Sequence, residues 1–465
     1  MMNNSIDNEN FEFTPSIETD ISKSPSHVGQ TTPAKSPVQF LRFISVSLSS
    51  HLIKATIEVD PFLTDLLAVQ TIELFKKDSI DGFEQENTPA EYIQEAFDNE
   101  ITSKIKYYFL YHLVLDFLIS EIISRKITIA NYPRLTSIEV MTDKKILYNF
   151  DLSTADPLEL KEWKHFAFKA PKRKRYKDLD KQVISFVENK AANTRRNNSG
   201  IVEDGDWVFF DATLCNKAST TVSQYLISSF WFRIGHQEIT EKFITQLLGR
   251  RIGESFTTSS LLTSEENEAD MRHCYTFKIT ISAIVKGSMF SIDTFKTTFK
   301  LKNKAEIHNK LMEVFSYRND ISQRKAIIEE VFHLLLSKHR FEVPKHLVLR
   351  REETIIHMLS QQPDYHVYKG QKDFESYIEL LAEKQLKEEI IIDQIAYNEN
   401  LKVESKDISQ YLHLLSNKRL KEFIYFKPLL ERVEIMTSIP INISTLMQAV
   451  LREKTLNYII HTLTK

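Results

Sequence analysis

Cysteine is nearly absent from this chain: Cys215 and Cys274 are the only two in 465 residues. They stand far apart, so no disulfide framework is implied, and a reducing cytoplasm suits the sequence. Glycine is scarce as well, at 9, and no Gly-rich loop that could cradle a phosphate occurs, nor any nucleophile-elbow spacing. The 14 histidines are scattered; His273-Cys274 is an adjacent pair without a partner at ligand spacing, which reads as strand-edge residues rather than a metal site. No cofactor is therefore expected. An excess of one charge is missing too, since 60 basic residues face 63 acidic ones for a net charge of -3. That balance speaks against a general nucleic-acid binder, DNA included, which needs a basic footprint. Long apolar runs are also lacking. The most apolar stretch, Tyr107 to Ile123, is interrupted by His112, Asp116 and Glu121, and the cost of placing charges in lipid argues against a membrane span.

What the chain has instead is length and phenylalanine. Its 465 residues, 42% hydrophobic with 30 Phe, exceed one core, so two to three domains are expected. Residues 1–38 are polar, hold no apolar run of the secretory type, and read as a disordered tail. Each proline there follows a hydroxyl residue (Thr14-Pro15, Ser24-Pro25, Thr32-Pro33, Ser36-Pro37), which leaves open a phosphorylated tail or a plain low-complexity tether.

Alternation then predicts a hairpin, with Ile44, Val46 and Leu48 on one strand face and Ile53, Ala55, Ile57 and Val59 on another, turning at Ser49-Ser50-His51. Asp60-Pro61 is a helix start, and that helix carries Leu66, Leu67, Ile72 and Phe75. A loop follows, Asp81-Gly82-Phe83-Glu84-Gln85-Glu86-Asn87-Thr88-Pro89. A helix from Ala90 is predicted next, striped by Ile93, Phe97, Ile101, Ile105 and Phe109, and Ile146, Tyr148 and Phe150 alternate as a closing strand. The run Lys172-Arg173-Lys174-Arg175 could meet phosphates or an acidic partner; as a solvated connector it needs no partner at all, because Asp178 and Asp180 follow.

Between Val202 and Val285 the period is two, with Val208 and Phe210 opening one strand and Phe277, Ile279 and Ile281 sharing a face of another. Phe230-Trp231-Phe232-Arg233-Ile234-Gly235 leads through Ile239 and Phe243 to Gly249 and Gly253-Glu254. After Leu301 the pattern is helical over Ala305–His339, Lys345–Leu359, Phe374–Asn398, Lys406–Leu415, Lys418–Glu434 and Ser444–Leu463. The consecutive Phe423, Ile424, Tyr425 and Phe426 must be core, a dimer contact or an exposed patch.

Hairpin, helix, Gly82-Phe83 loop with Pro89 at the right spacing, long helix and strand together resemble the ribosome-binding domain of trigger factor, a chaperone family. In that family the loop carries a basic cluster, where this chain has Glu84, Gln85, Glu86 and Asn87. The segment from Phe230 to Phe256 looks like an FKBP-type prolyl isomerase frame. The resemblance implies slot-lining roles for Phe230, Phe232, Ile239, Phe243 and Phe277. It also shows departures, with Ala212 where an aromatic is expected and Thr240-Glu241-Lys242 in place of an apolar rim, so activity is expected to be low. Val343-Pro344, the run Ile390 to Ala396 and the last helix are similar to the family's C-terminal domain. The fold implied is α+β multidomain: tail 1–38, N-terminal α/β domain 39–160, linker and degenerate FKBP-type antiparallel β domain 161–297, and all-helical cradle 298–465. The function implied is an ATP-independent cytoplasmic chaperone for unfolded or nascent polypeptides. Ribosome docking and homodimerisation stay open at this level, as do an active isomerase and a ribosome-independent assembly factor.

Overall fold

The computed structural model describes residues 40–76, 82–84, 87–130, 132–155, 158–169, 184, 200–216, 220–235, 241–261, 274–287, 301–309, 311, 321–360, 362–416, 423–428 and 440–464. The tail, the basic run Lys172 to Arg175, and Gln85, Glu86, Ile239 and Thr240 lie outside them. The architecture is α+β, with two antiparallel sheets and many helices.

The first sheet takes the order β1-β2-β4-β3, from β1 (Leu41–Ser49), β2 (Leu52–Val59), β3 (Arg134–Val140) and β4 (Ile146–Ser153). Register decides which face of β1 is inside. Leu41 stands opposite Val59, Phe43 opposite Ile57 and Ser45 opposite Ala55, and opposed residues share a face. Leu41 and Phe43 are therefore the buried pair. The expected face of Ile44, Val46 and Leu48 turns outward, beside Thr56 and Lys54, with Val46 55% and Leu48 58% exposed. Strand β3 was not anticipated, because most of its residues are exposed on a sheet edge and carry little apolar alternation.

Asp60 caps α1 (Pro61–Phe75), its Oδ1 accepting the Phe62 N–H at 2.8 Å, with Pro61 at the first helical position. Such a cap contributes about 1 kcal/mol. The helix expected from Ala90 is two helices, α2 (Ala90–Ala96) and α3 (Asp98–Phe109). Phe97 leaves helical geometry at φ −121, ψ 27 and packs its ring on Phe75, centroids 5.3 Å apart. Asp98 and Glu100 then sit in the first turn of α3, where carboxylates favour a helix start. A π-helical turn (Leu110–Val114) joins α3 to α4 (Leu115–Ser124). The whole rod, Asp98–Ser124, is long and apolar enough to cross a membrane. It is a core helix here, with Phe109, Val114, Leu118 and Ile122 fully buried among both sheets' side chains.

The second sheet has the order β7-β8-β5-β6-β9. Its members are β5 (Trp207–Cys215), β6 (Ile227–Arg233), β7 (Ser255–Thr258), β8 (Thr276–Val285) and β9 (Ile441–Asn442), with α5 (Glu241–Leu247) between β6 and β7. Strand β9 comes from far along the chain and pairs Asn442 with Phe230 and Ile441 with Trp231. Two residues are too few for an alternation signal.

The helices are α6 (Ile321–Lys338), α7 (Lys345–Ser360), α8 (Tyr365–Lys369), α9 (Phe374–Asn398), α10 (Ser405–Ser416) and α11 (Ile443–Thr464). The helix expected over Lys418–Glu434 is not formed where the chain is described. Residues 424–428 are irregular, and the Tyr425 and Phe426 N–H groups donate to the Glu453 carboxylate instead of to a helical turn. All these elements belong to one compact unit of Lys35–Arg173, Ser199–Ser288 and Ile321–Lys465. Of a second unit (Met1–Ala34, Lys174–Asn198, Met289–Asp320) the described residues are Ile184, 301–309 and Leu311. There Asn303 Oδ1 accepts the Glu306 N–H at 2.8 Å.

Candidate functional site

Three places carry the residues singled out by sequence. The first is the inner face of the second sheet. Phe243, on the short helix α5, is wedged between Phe210 (5.4 Å) and Phe232 (5.5 Å), both edge-on, the arrangement that ring quadrupoles favour. Phe230 lies 6.0 Å from Phe210. Phe230, Phe232, Phe243 and Phe277 are at most 3% exposed, and burying one such ring stabilises by roughly 1.5–3 kcal/mol. Ala212 is fully buried opposite Ser228 and Ile279. Of the altered rim, Glu241 and Lys242 open α5 and are exposed.

The near side of this aromatic layer meets the core helix. His112, in the π-helical turn, stacks on Phe277 at 5.2 Å and 16°, and meets Phe230 edge-on at 5.7 Å. Its Nδ1 is 2.8 Å from Ser228 Oγ. Tyr108, one turn earlier, stacks on His112 at 4.4 Å and abuts Tyr275 at 5.1 Å. Thr71 donates its hydroxyl to the Leu67 carbonyl and so accepts from the Tyr275 hydroxyl, 2.7 Å away. Burial holds the His112 imidazole down to about 3, and pushes the Tyr108 phenol up, with Tyr275 adding to it.

The second place is the loop before α2. Gly82 has φ +92, a left-handed conformation natural to glycine. Gly82, Phe83, Glu84, Asn87 and Pro89 are exposed, while Thr88 is buried. Phe83 rests against Tyr92 at 5.0 Å, and the Asn87 backbone N–H donates to the Glu84 carbonyl at 3.0 Å. The described part of the loop is thus a tight turn presenting an aromatic ring and a carboxylate.

The third place is the helical region, held by a buried chain of alternating charges. Arg351 forks onto Glu389 at 2.8 and 2.9 Å. Arg452 forks onto Asp393 at 2.8 and 2.7 Å and reaches Glu389 at 3.1 Å. Burial raises Glu389, but Arg351 and Arg452 outweigh it and hold that carboxyl below the usual range. For Asp393 burial wins over Arg452 and the shift is upward. Beside the chain, Tyr425 donates to Glu388 at 2.6 Å, and burial pushes Glu388 up to about 7. None of these charged residues was singled out from sequence. Glu389 and Asp393 are one turn apart and interleaved with Ile390, Ile391 and Ile392, so charge inside an apolar run was the available signal. The cluster Phe423 to Phe426 is largely core, with Ile424 and Phe426 buried.

Helices α7 and α9 pack on one another through Leu347, Ile355, Ile378, Ala382 and Leu386. Elsewhere on α7, α8 and α9, Leu349 (48%), Val367 (57%), Tyr377 (63%) and Leu380 (63%) stay exposed. Among the described residues, no group of three or more His, Cys, Asp or Glu is placed to hold a metal ion.

The family model for the bacterial trigger factor protein C-terminus matches residues 303–460. The trigger factor of Baumannia cicadellinicola is 20% identical over 375 residues, spanning 78% of this chain and 81% of that relative. Together these matches support a divergent trigger factor. Trigger factors of Geotalea daltonii (20% identity, 71% of this chain, 77% of the relative) and Clostridium botulinum (17%, 76% and 86%) are similar over comparable spans. A solved structure described as "Promiscuous Substrate Recognition in Folding and Assembly Activities of the Trigger Factor Chaperone" aligns with 90% of this chain at 15% identity. Its TM-score is 0.33, and the match covers 99% of that chain. The matched C-terminal model contains the exposed residues of α7 to α9 and the Arg351–Glu389–Arg452–Asp393 chain.

Proposed function

We propose that this trigger factor is an ATP-independent cytoplasmic chaperone that holds unfolded or newly made polypeptides on its helical region. The observation that carries the reading is the set of exposed apolar side chains on α7, α8 and α9: Leu349, Val367, Tyr368, Tyr377 and Leu380. They lie on helices of which α7 and α9 already bury other residues against each other, and large apolar side chains left exposed in this number mark a binding surface more often than unused core. Several weak apolar contacts on one surface bind an extended client by multivalency without any nucleotide. In this reading residues 39–160 form the ribosome-binding-type part, 161–297 the degenerate FKBP-type part and 298–465 the cradle. The buried aromatics of the second sheet support weak prolyl isomerase activity at most. The test is suppression of aggregation of several unrelated denatured clients, at stoichiometric ratio and without nucleotide. Failure with all of them contradicts the proposal.

A second reading, a specialised chaperone that has left the ribosome, is favoured by Glu84 standing exposed beside Phe83. Where a basic cluster would meet an anionic ribosome, an acidic loop repels it. A second copy of the chain remains a candidate partner, to be tested by mass measurement in solution.

A further inference from the structure

We propose that the apolar face on which a prolyl segment would lie is occupied by the chain's own core helix, and that the face becomes accessible only when that helix undocks. The inference rests on reading the second sheet as a degenerate isomerase frame. Three independent observations carry it. The rings of His112 and Tyr108 lie flat and edge-on against Phe277, Phe230 and Tyr275, the way a prolyl ring and its neighbours would pack on an aromatic floor. They do so beside Ala212 and Ser228, paired small residues on adjacent strands, which leave room that a large side chain would fill.

The contact is also partly polar. His112 bonds Ser228, and Tyr275 bonds Thr71. The Tyr108 hydroxyl is buried with no hydrogen-bond partner among the described residues. A buried hydroxyl left unpaired is regained by water on separation, so undocking recovers hydration that a Leu or Phe in the same place would not. The partners also come from distant stretches, Thr71 to His112 on one side and Ser228 to Phe277 on the other. Each sheet has its own strand pairing, which separation leaves intact.

The test uses the full chain with Cys215→Ser and Cys274→Ser as background and Ser228→Cys as reporter. Its thiol should react with a small maleimide slowly in the docked state. His112→Asp puts a charge against Phe277 that cannot stay buried, and should accelerate labelling by about tenfold or more. The milder pair Thr71→Val with Tyr275→Phe removes the Thr71–Tyr275 bond across the contact, together with the Thr71 bond to Leu67 inside α1, with little change of shape, and should accelerate it less. Circular dichroism establishes that each variant is folded, and the milder pair keeps the test open if His112→Asp does not fold. Unchanged labelling in a folded variant overturns the proposal, as does fast labelling in the unmutated helix. Turnover of a short prolyl peptide is measured alongside. Faster labelling with more turnover supports both closure and the isomerase reading; faster labelling with no turnover supports closure and counts against the isomerase reading alone.

Discussion

Arg452 and Asp393 meet as a fork: Nε to Oδ1 at 2.8 Å and Nη2 to Oδ2 at 2.7 Å, both side chains at most 3% exposed. The pair fastens the last helix, α11, to the middle of α9, and Glu389 extends it to Arg351 on α7. Three helices are thereby set in one register by directional bonds. Removing one member leaves a buried charge without its counter-ion. Arg452→Met should lower stability by roughly 3–5 kcal/mol. Arg452→Met with Asp393→Leu should cost clearly less, since no lone carboxylate remains at that site. Urea midpoints of the two variants check this, and equal losses would mean that the pair acts only through packing.

Glu388 gives a pH dependence with a definite sign. Its folded value is about 7 against an ordinary 4.5, so the folded state holds the proton more tightly than the unfolded chain. The stability this contributes is complete below about pH 4.5 and is lost as pH rises through 7, on the order of 3 kcal/mol in all. Glu388→Gln should therefore stabilise at pH 8 and make little difference at pH 5. Denaturation midpoints across that range are the measurement. A stabilisation larger at pH 5 would contradict the assignment.

His112 works in the opposite pH direction. Its imidazole is kept neutral down to about pH 3 by burial, against an ordinary 6.5. Tyr108, whose phenol burial keeps neutral in this range, stacks on it, and Ser228, Phe230 and Phe277 pack around it. The contact's contribution is full above 6.5 and falls as pH drops toward 3, by on the order of 2 kcal/mol at pH 5. His112→Leu should flatten this acid limb of the stability profile while losing the Ser228 bond. An acid limb that persists unchanged would place its origin elsewhere.

Much of the fold was legible from local chemistry. Asp60-Pro61 started α1, Ala55, Ile57 and Val59 were core, and Phe374–Asn398 was a helix end to end. The misreadings have a common cause. Strand β1 carries apolar residues on both faces, so alternation alone chose Ile44, Val46 and Leu48, while pairing with β2 chose Leu41 and Phe43. Phe97 kept a four-residue spacing through a break that its packing on Phe75 imposes. Of the candidate slot, Phe230, Phe232, Phe243 and Phe277 are brought into one layer, but the helix residues covering it lie over a hundred positions earlier in the chain. His112 showed in sequence only as an interruption in an apolar stretch.

The acidic loop makes a prediction about ribosomes. Each exposed like-charge contact costs on the order of a few tenths to 1 kcal/mol before screening, so Glu84 and Glu86 against an anionic partner should weaken docking by about tenfold. Weak or absent co-sedimentation with ribosomes of ordinary composition is expected, and Glu84→Arg with Glu86→Gly and Asn87→Lys should strengthen it. Tight binding unmoved by these changes would shift attention to Lys172 to Arg175.

In the proposed function, exposed apolar residues of α7 and α9 hold unfolded chains. The direct measurement is light scattering of a denatured client diluted into the full-length protein or its Leu349→Ser, Tyr377→Ser, Leu380→Ser variant, without nucleotide. These three side chains are 48%, 63% and 63% exposed, so the variant should keep its fold and helical content. The unaltered chain should suppress scattering at equimolar ratio, and the variant should lose most of that suppression. Equal suppression by a folded variant, or none by the unaltered chain, would contradict the proposed function.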